Sequence, residues 1–219
     1  LEKKKRPFTR ARQPDQIEER KEAILQSALT LFVNKGLENV SLSDIASKMG
    51  CAKSNLYRYF ETREDIYLHI LQREGAAWEK KAQSALKKLE GNGTVPLVAE
   101  ALSKSFNGAK TYCSLMSVIN SVLEKNLSAE RVINFRSTFY KRRERIATLI
   151  AAALPGVPKE SVQPLMFSIF AHVAGLWPLS HPDVETKKWL TKPEFEHLKL
   201  DFEDEMTRFL ITLFKGALH

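Results

Sequence analysis

Two short blocks with helical apolar spacing, 41–49 and 52–60, stand either side of Gly50 and constrain the fold more than any other feature of this chain. In the first block Leu42, Ile45, Ala46 and Met49 fall on one stripe of a helix. Ser41-Leu42-Ser43-Asp44 opens it as a capping box, in which a hydroxyl accepts from an orphan amide and a carboxylate reaches back. In the second block Ala52, Leu56 and Phe60 recur at i, i+4 and i+8. Two helices joined by a short turn containing glycine make a helix-turn-helix. A helix over 16–35 precedes them, with Ile24, Ala28, Leu31 and Phe32 on one face. Gly36 ends it by accepting a left-handed conformation.

The rest of the chain also reads as helix between breakers, and no stretch alternates with period two long enough to form a sheet. There is no internal repeat. A long helix is predicted over 63–89, about 40 Å at about 1.5 Å per residue. Gly91-Asn92-Gly93 breaks it, and Thr94 caps the next helix with Pro96 in its first turn. Further helices are predicted over 112–125, over 129–154 (Ser128 as cap, Pro155 as stop) and over 160–177. A long connection carrying Pro178, Pro182 and Pro193 follows, then a last helix over 202–218 with Phe202, Met206, Phe209, Leu210, Leu213 and Phe214 on one face. The expected class is all-α. A flexible basic arm (1–15) precedes a three-helix helix-turn-helix domain (16–62) and a larger helical domain (63–219).

The net charge of +8 is unevenly spread. Lys3, Lys4, Lys5, Arg6, Arg10 and Arg12 face only Glu2, so most of the excess lies in the arm. That is the electrostatic footprint of a polyanion-binding segment, or equally of a solubilising tail. Cys51 and Cys113 are far apart and supply neither a disulfide framework nor metal-ligand spacing. The basic start is not followed by an apolar h-region, and no apolar run approaches the roughly 18 to 20 residues that span a bilayer. A soluble cytoplasmic protein with reduced thiols, no metal and no cofactor is expected.

From Ala28 to Leu68 the chain resembles the DNA-binding domain of the TetR family of bacterial transcriptional regulators. That family writes Phe-x-x-x-Gly at the end of its first helix and Thr/Ser-x-x-x-Ile-Ala in its second. A Gly-x-Ser turn follows, then Leu-Tyr-x-x-Phe in the recognition helix and Lys-x-x-Leu at the start of the fourth helix. Here stand Phe32-Val33-Asn34-Lys35-Gly36, Ser41-Leu42-Ser43-Asp44-Ile45-Ala46, Gly50-Cys51-Ala52, Leu56-Tyr57-Arg58-Tyr59-Phe60 and Arg63-Glu64-Asp65-Ile66, without a gap. With Ala52, Leu56 and Phe60 turned inward, Lys53, Ser54, Asn55, Tyr57, Arg58 and Tyr59 are left to meet DNA. Lys53, Asn55 and Arg58 suit base edges, and the hydroxyls suit phosphates. Ser41 and Ser43 lie at a helix N-terminus, where unpaired amides attract phosphate. The resemblance implies a phosphate contact for Arg63. Three positions depart from the pattern: Ala52 stands where a capping Ser or Thr is usual, Cys51 replaces Val, and Tyr59 replaces His.

The resemblance implies that the second domain binds a small-molecule inducer and forms a homodimer through its last two helices, 160–177 and 202–218. The first of these carries Leu165, Met166, Ile169, Phe170, Val173, Leu176 and Trp177, more apolar surface than one face of a helix needs. Phe106, Tyr112, Met116, Phe135, Phe139, Phe167, Phe170 and His172 are candidates to line an apolar cavity, and equally to be plain core. The basic run Lys141, Arg142, Arg143 and Arg145 reads as a solvated helix face that an anionic ligand or DNA could also use. The leading reading is a repressor released from a palindromic operator on double-stranded DNA by its inducer. A ligand-independent architectural DNA-binding protein is the alternative. An all-helical enzyme is the weakest reading, because no catalytic constellation or phosphate loop is evident.

Overall fold

Helix starts and stops follow the capping chemistry in this computed structural model, which describes residues 14–124 and 127–217. The basic arm expected over 1–15 lies almost entirely outside the described residues, as do Lys125 and Leu218 at two expected helix ends. The described helices are α1 (Pro14–Lys35), α2 (Leu42–Met49), α3 (Lys53–Leu56), α4 (Arg63–Lys87), α5 (Val95–Asn107), α6 (Lys110–Met116), α7 (Ala129–Ala153), α8 (Lys159–Ser180), α9 (Val184–Leu190) and α10 (Phe202–Ala217). A π-helical turn, Ile119–Leu123, follows α6, and a 3-10 turn, Pro193–Leu198, follows α9. Among the described residues there is no strand, in keeping with the all-α expectation.

Two compact units emerge. One takes residues up to 72 together with 120–133, and the other takes 73–119 together with 134–219. The boundary therefore falls inside α4.

In the first unit α2 is closed at both ends as its sequence demands. Ser41 Oγ accepts from the Asp44 amide at 3.2 Å, and Asp44 Oδ2 accepts from the Ser41 amide at 2.8 Å. Gly50 ends the helix at φ 68°, a left-handed conformation that costs any Cβ-bearing residue. Ser41→Ala removes the cap and is expected to lower the stability of the protein by about 1 kcal/mol, read from the urea unfolding midpoint. Ile24, Ala28, Val40, Ile45, Leu56, Phe60, Ile66 and Ile70 form the buried core beneath these helices. Tyr67 joins it, donating to the Ala28 carbonyl at 3.3 Å, and burial pushes its phenol up to about 12.

In the second unit α10 packs against α5 and α8, and α6 packs against α8. Thr94 caps α5 as its sequence suggests. The turn before α5 lies against the end of α7, where the Gly91 amide donates to the Ala152 carbonyl at 2.9 Å.

Several expected boundaries are corrected. The recognition helix expected over 52–60 is α-helical only over Lys53–Leu56, because the Tyr59 amide turns back to the Leu56 carbonyl in an i, i+3 bond. The helix expected over 112–125 stops at Met116. The connection after α8 holds α9, capped by Asp183, where no helix was expected. The expectation of no bilayer-length apolar run also fails. α8 is long and apolar enough to cross a membrane by length and composition, with 39% of that stretch buried within the chain. It carries Pro164 and Pro178 inside it.

Candidate functional site

The DNA-facing expectation centres on α3. Leu56 and Phe60 are buried as predicted, and they fix which way the remaining side chains turn. Lys53, Ser54, Tyr57 and Arg58 are exposed and share one face at i, i+1, i+4 and i+5. Lys53 Nζ lies 5.8 Å from the Tyr57 ring, and Tyr57 is 52% exposed. Asn55 and Tyr59 are half-buried on the other side. Ala52, at the cap position, supplies no side-chain hydrogen bond, so the departure from a capping Ser or Thr has its expected local effect.

Ser41, Leu42, Lys53, Tyr57, Glu61, Thr62, Arg63 and Glu64 line a shallow cleft of about 380 Å³. It brings the start of α2 next to the exposed face of α3. Ser43 is exposed on the first turn of α2. The Ser41 hydroxyl, however, is bound to Asp44 at 2.5 Å, and these bonds to Ser41 hold the Asp44 carboxyl below its ordinary range. Arg63 is likewise engaged within the unit. Its Nη1 donates to the Val40 carbonyl at 2.9 Å, and its Nε and Nη2 donate to Glu64 Oε1 at 3.0 and 2.7 Å. That guanidinium ties the start of α4 to the loop before α2.

Behind this face sits an ion cluster that the sequence did not announce. Asp65 is fully buried and accepts from the Glu61 amide at 3.1 Å through Oδ2. Its Oδ1 faces His69 Nδ1 at 3.4 Å and Arg131 Nε at 3.7 Å. Burial pushes the Asp65 carboxyl up, but His69, the Glu61 amide and Arg131 outweigh it and hold the group low. Asp65 in turn raises the His69 imidazole. A histidine raised on folding contributes stability that is complete below its unfolded value of 6.5 and is lost as pH rises through the folded value. Melting temperature is therefore expected to fall less steeply above pH 6.5 in His69→Asn than in the parent. Identical slopes would show that the ring carries no such linkage.

The expected ligand-lining residues divide. Phe106, Tyr112, Phe139 and Phe170 converge on Trp78, with ring centroids 4.4 Å apart for Trp78–Phe106, 5.5 Å for Trp78–Tyr112 and for Trp78–Phe170, and 5.0 Å for Phe139–Phe170. Phe135 stacks on Phe139 at 5.8 Å, and Met116 is buried at the end of α6. Phe167 does not join them: it is 70% exposed on the far side of α8. His172 does not join them either. It stacks on Phe209 of α10 at 3.7 Å, and its Nε2 is buried without a hydrogen-bond partner, so it is not the satisfied core histidine expected otherwise. The residues expected to line a cavity thus form a closely packed aromatic cluster. The open cleft of this unit, about 490 Å³, lies elsewhere and is lined by Glu100, Lys104, Glu203, Asp204, Thr207 and Arg208.

The basic run on α7 is not a solvated face. Arg142 is 3% exposed, and its Nε donates to Glu79 Oε2 at 3.2 Å. Arg145 donates to the same carboxylate through Nε at 2.5 Å and Nη2 at 2.9 Å. Arg143 lies 5.5 Å over the Phe139 ring and 5.7 Å over that of Tyr140. Tyr112 is fully buried, and its hydroxyl has no hydrogen-bond partner. Burial pushes its phenol strongly upward, against the pull of the Arg142 charge. Among the described residues, no group of three His, Cys, Asp or Glu side chains is placed to hold a metal ion.

Residues 24–70 match the family model for bacterial regulatory proteins of the tetR family, and residues 72–219 match that for the tetracyclin repressor-like C-terminal domain. The chain belongs to the TetR family. An HTH-type transcriptional regulator of Staphylococcus aureus (strain bovine RF122 / ET3-1) is 37% identical to this TetR-family chain over 56 residues, 26% of this chain and 30% of that protein. A second, from strain USA300, is 34% identical over the same share. The match thus spans under a third of these relatives' length. Among solved structures, the fatty acid degradation regulator FadR from Bacillus halodurans aligns at TM-score 0.54 and 14% identity, over 92% of this chain and 97% of that one. FadR from Bacillus subtilis, in complex with stearoyl-CoA, aligns at TM-score 0.54 and 16% identity, over 90% and 99%. At such identities the likeness is one of fold.

Sequence reasoning missed Trp78, Glu79 and Arg131 in this TetR-family chain. Trp78 and Glu79 sit within Glu74-Gly75-Ala76-Ala77-Trp78-Glu79-Lys80-Lys81, a polar stretch with no obvious apolar stripe. Arg131 lies far along the chain from Asp65. The one available signal for the aromatic cluster was Gly75, an isolated glycine inside a helical pattern, which marks a close approach. A Cβ there would lie 2.5 Å from Arg142 Nη1 and 2.8 Å from Tyr112 Cε2.

Proposed function

We propose that this protein is a homodimeric cytoplasmic repressor that holds a palindromic operator through paired α3 helices and lets go when a small-molecule inducer enters its second unit. The carrying observation is the exposed face Lys53, Ser54, Tyr57 and Arg58, held outward by buried Leu56 and Phe60. Lysine and arginine on such a face suit guanine edges and phosphates, and Tyr57 and Ser54 add hydroxyl contacts. Ser41 and Ser43 contribute at the start of α2. Arg63 acts chiefly by fixing α4 against the loop before α2.

Support for the dimer comes from α8. Phe167 and Leu179 are 70% and 64% exposed on a face that also carries Ala171 and Gly175. A bilayer-length apolar helix with that face uncovered fits a twofold helix bundle completed by a second copy. The stearoyl-CoA held by the Bacillus subtilis neighbour supports an inducer site in the second unit. Release is then a population shift between two dimer geometries, and it requires the inducer to prefer one of them.

The test is selection of tight binders from random duplexes, followed by titration against a scrambled duplex over a salt series. A palindrome with half-sites about one DNA turn apart, roughly 34–36 Å, bound at least about a thousandfold more tightly than the scramble, is expected. Equal affinities that fall steeply with salt would instead indicate backbone attraction alone and the architectural reading.

A further inference from the structure

We propose that the inducer is an aromatic acid, a flat ring bearing a carboxylate or phenolate, whose anionic group is taken by Arg142 and the Tyr112 hydroxyl. This deepens the inducer reading above and rests on it.

Buried hydroxyls in folded proteins are almost always hydrogen-bonded, so one that is not calls for an explanation. Tyr112 is fully buried, and its hydroxyl has no partner. It belongs to an otherwise apolar cluster and lies beside a buried cation, with the Arg142 guanidinium carbon 6.0 Å from the Tyr112 ring centroid. The two groups meet over Gly75, where α4 presents bare backbone to them. The nearby Glu79 carboxylate is shared between Arg142 and Arg145, so the site supplies two guanidiniums around one carboxylate. A hydroxyl donor next to a buried guanidinium matches an oxyanion.

The rest of the site specifies a ring. Trp78, Phe106 and Phe170 present faces and edges to one another at 4.4 to 5.7 Å, spacings at which a further aromatic plane stacks well. Phe139 is the half-buried member, and Arg143 lies over its outer face. It is the ring a ligand displaces on entry. A long alkyl chain would fill the same apolar volume but leave the Tyr112 hydroxyl without a reason.

The experiment titrates the full-length protein with benzoate, salicylate, 1-naphthoate and indole-3-acetate, against benzamide as a neutral aromatic and octanoate as an aliphatic acid. Tryptophan fluorescence and thermal shift are the readouts. At least one aromatic acid is expected to bind tenfold or more tightly than both controls. Tyr112→Phe is expected to weaken that binding at least tenfold while leaving the ligand-free melting temperature unchanged or raised, since it removes only an unpartnered hydroxyl. A purely structural tyrosine would show the reverse. Should Tyr112→Phe melt lower, the ratio of acid to amide affinity in the parent protein decides alone. Equal binding of benzamide, tighter binding of octanoate, or no binding by any aromatic acid overturns the proposal. These readouts involve no DNA, so failure here leaves operator recognition standing. Failure of operator selection with aromatic-acid binding intact counts against the repressor reading instead.

Discussion

Replacing Lys53 and Tyr57 together by alanine is expected to weaken binding to the selected operator by on the order of a hundredfold or more, with the melting temperature unchanged. Each good base-edge contact is worth about 1–3 kcal/mol of discrimination, and both side chains are exposed, so their loss leaves the core intact. They also act on one another. Lys53 Nζ lies 5.8 Å from the Tyr57 ring, an i, i+4 cation–π contact that restrains the amine over the exposed face. The single variants should therefore sum to a different loss from that of the pair. Affinity for a scrambled duplex is expected to fall far less, because the phosphate contacts made elsewhere remain. Fluorescence anisotropy against both duplexes measures the two losses. A double variant that keeps the parent's ratio of specific to scrambled binding would rule out this face as the reader.

The second large effect belongs to Glu79. Glu79→Ala leaves the Nε of a nearly buried guanidinium without its carboxylate, and breaking a buried pair from one side costs about 3–5 kcal/mol. In a chain of this size that is roughly 10 °C of melting temperature. Burial pushes the Glu79 carboxyl up, but Arg145 and Arg142 together hold it below its ordinary 4.5. A carboxyl lowered on folding contributes stability that is present above its unfolded value and lost as pH falls through the folded one. The difference between parent and Glu79→Ala should thus be full at neutral pH and shrink below pH 4.5. A melting temperature within 2 °C of the parent's at pH 7, on a scale of about 2–4 °C per kcal/mol, would count against the pair as a structural element.

The legibility of the chain follows from where chemistry is local. The bounds of α2 were readable because Ser41, Asp44 and Gly50 each satisfy or release a backbone group within a few residues of themselves. The length of α3 was not. Ala52, Leu56 and Phe60 keep helical spacing, yet Tyr57 to Tyr59 close as a tight turn, and Phe60 reaches the core without α-helical backbone before it. On α8 the difficulty is phase. Leu165, Met166, Phe167, Ile169 and Phe170 surround the helix, so apolar spacing cannot say which of Phe167 and Phe170 turns inward. Only packing decides, and it buries Phe170. Arg142 shows the opposite failure. It sits in a basic run that looks solvated, and its burial depends on Glu79 63 residues away. The DNA-facing set was the most legible part, because an exposed face is what remains once Leu56 and Phe60 are assigned.

The first unit is discontinuous in sequence, since residues 120–133 belong with those up to 72. Synthesis on the ribosome delivers these parts separately. The helix-turn-helix emerges first, but Arg131, which faces the buried Asp65 carboxylate, follows only after α5 and α6 have been made. The nascent reader thus spends the synthesis of some sixty residues, at about 5–20 residues per second, with an acidic group short of its counter-charge. A fragment ending at Gln72 reproduces that interval permanently. Its helices have their caps and their apolar core, and it lacks the cation that completes them.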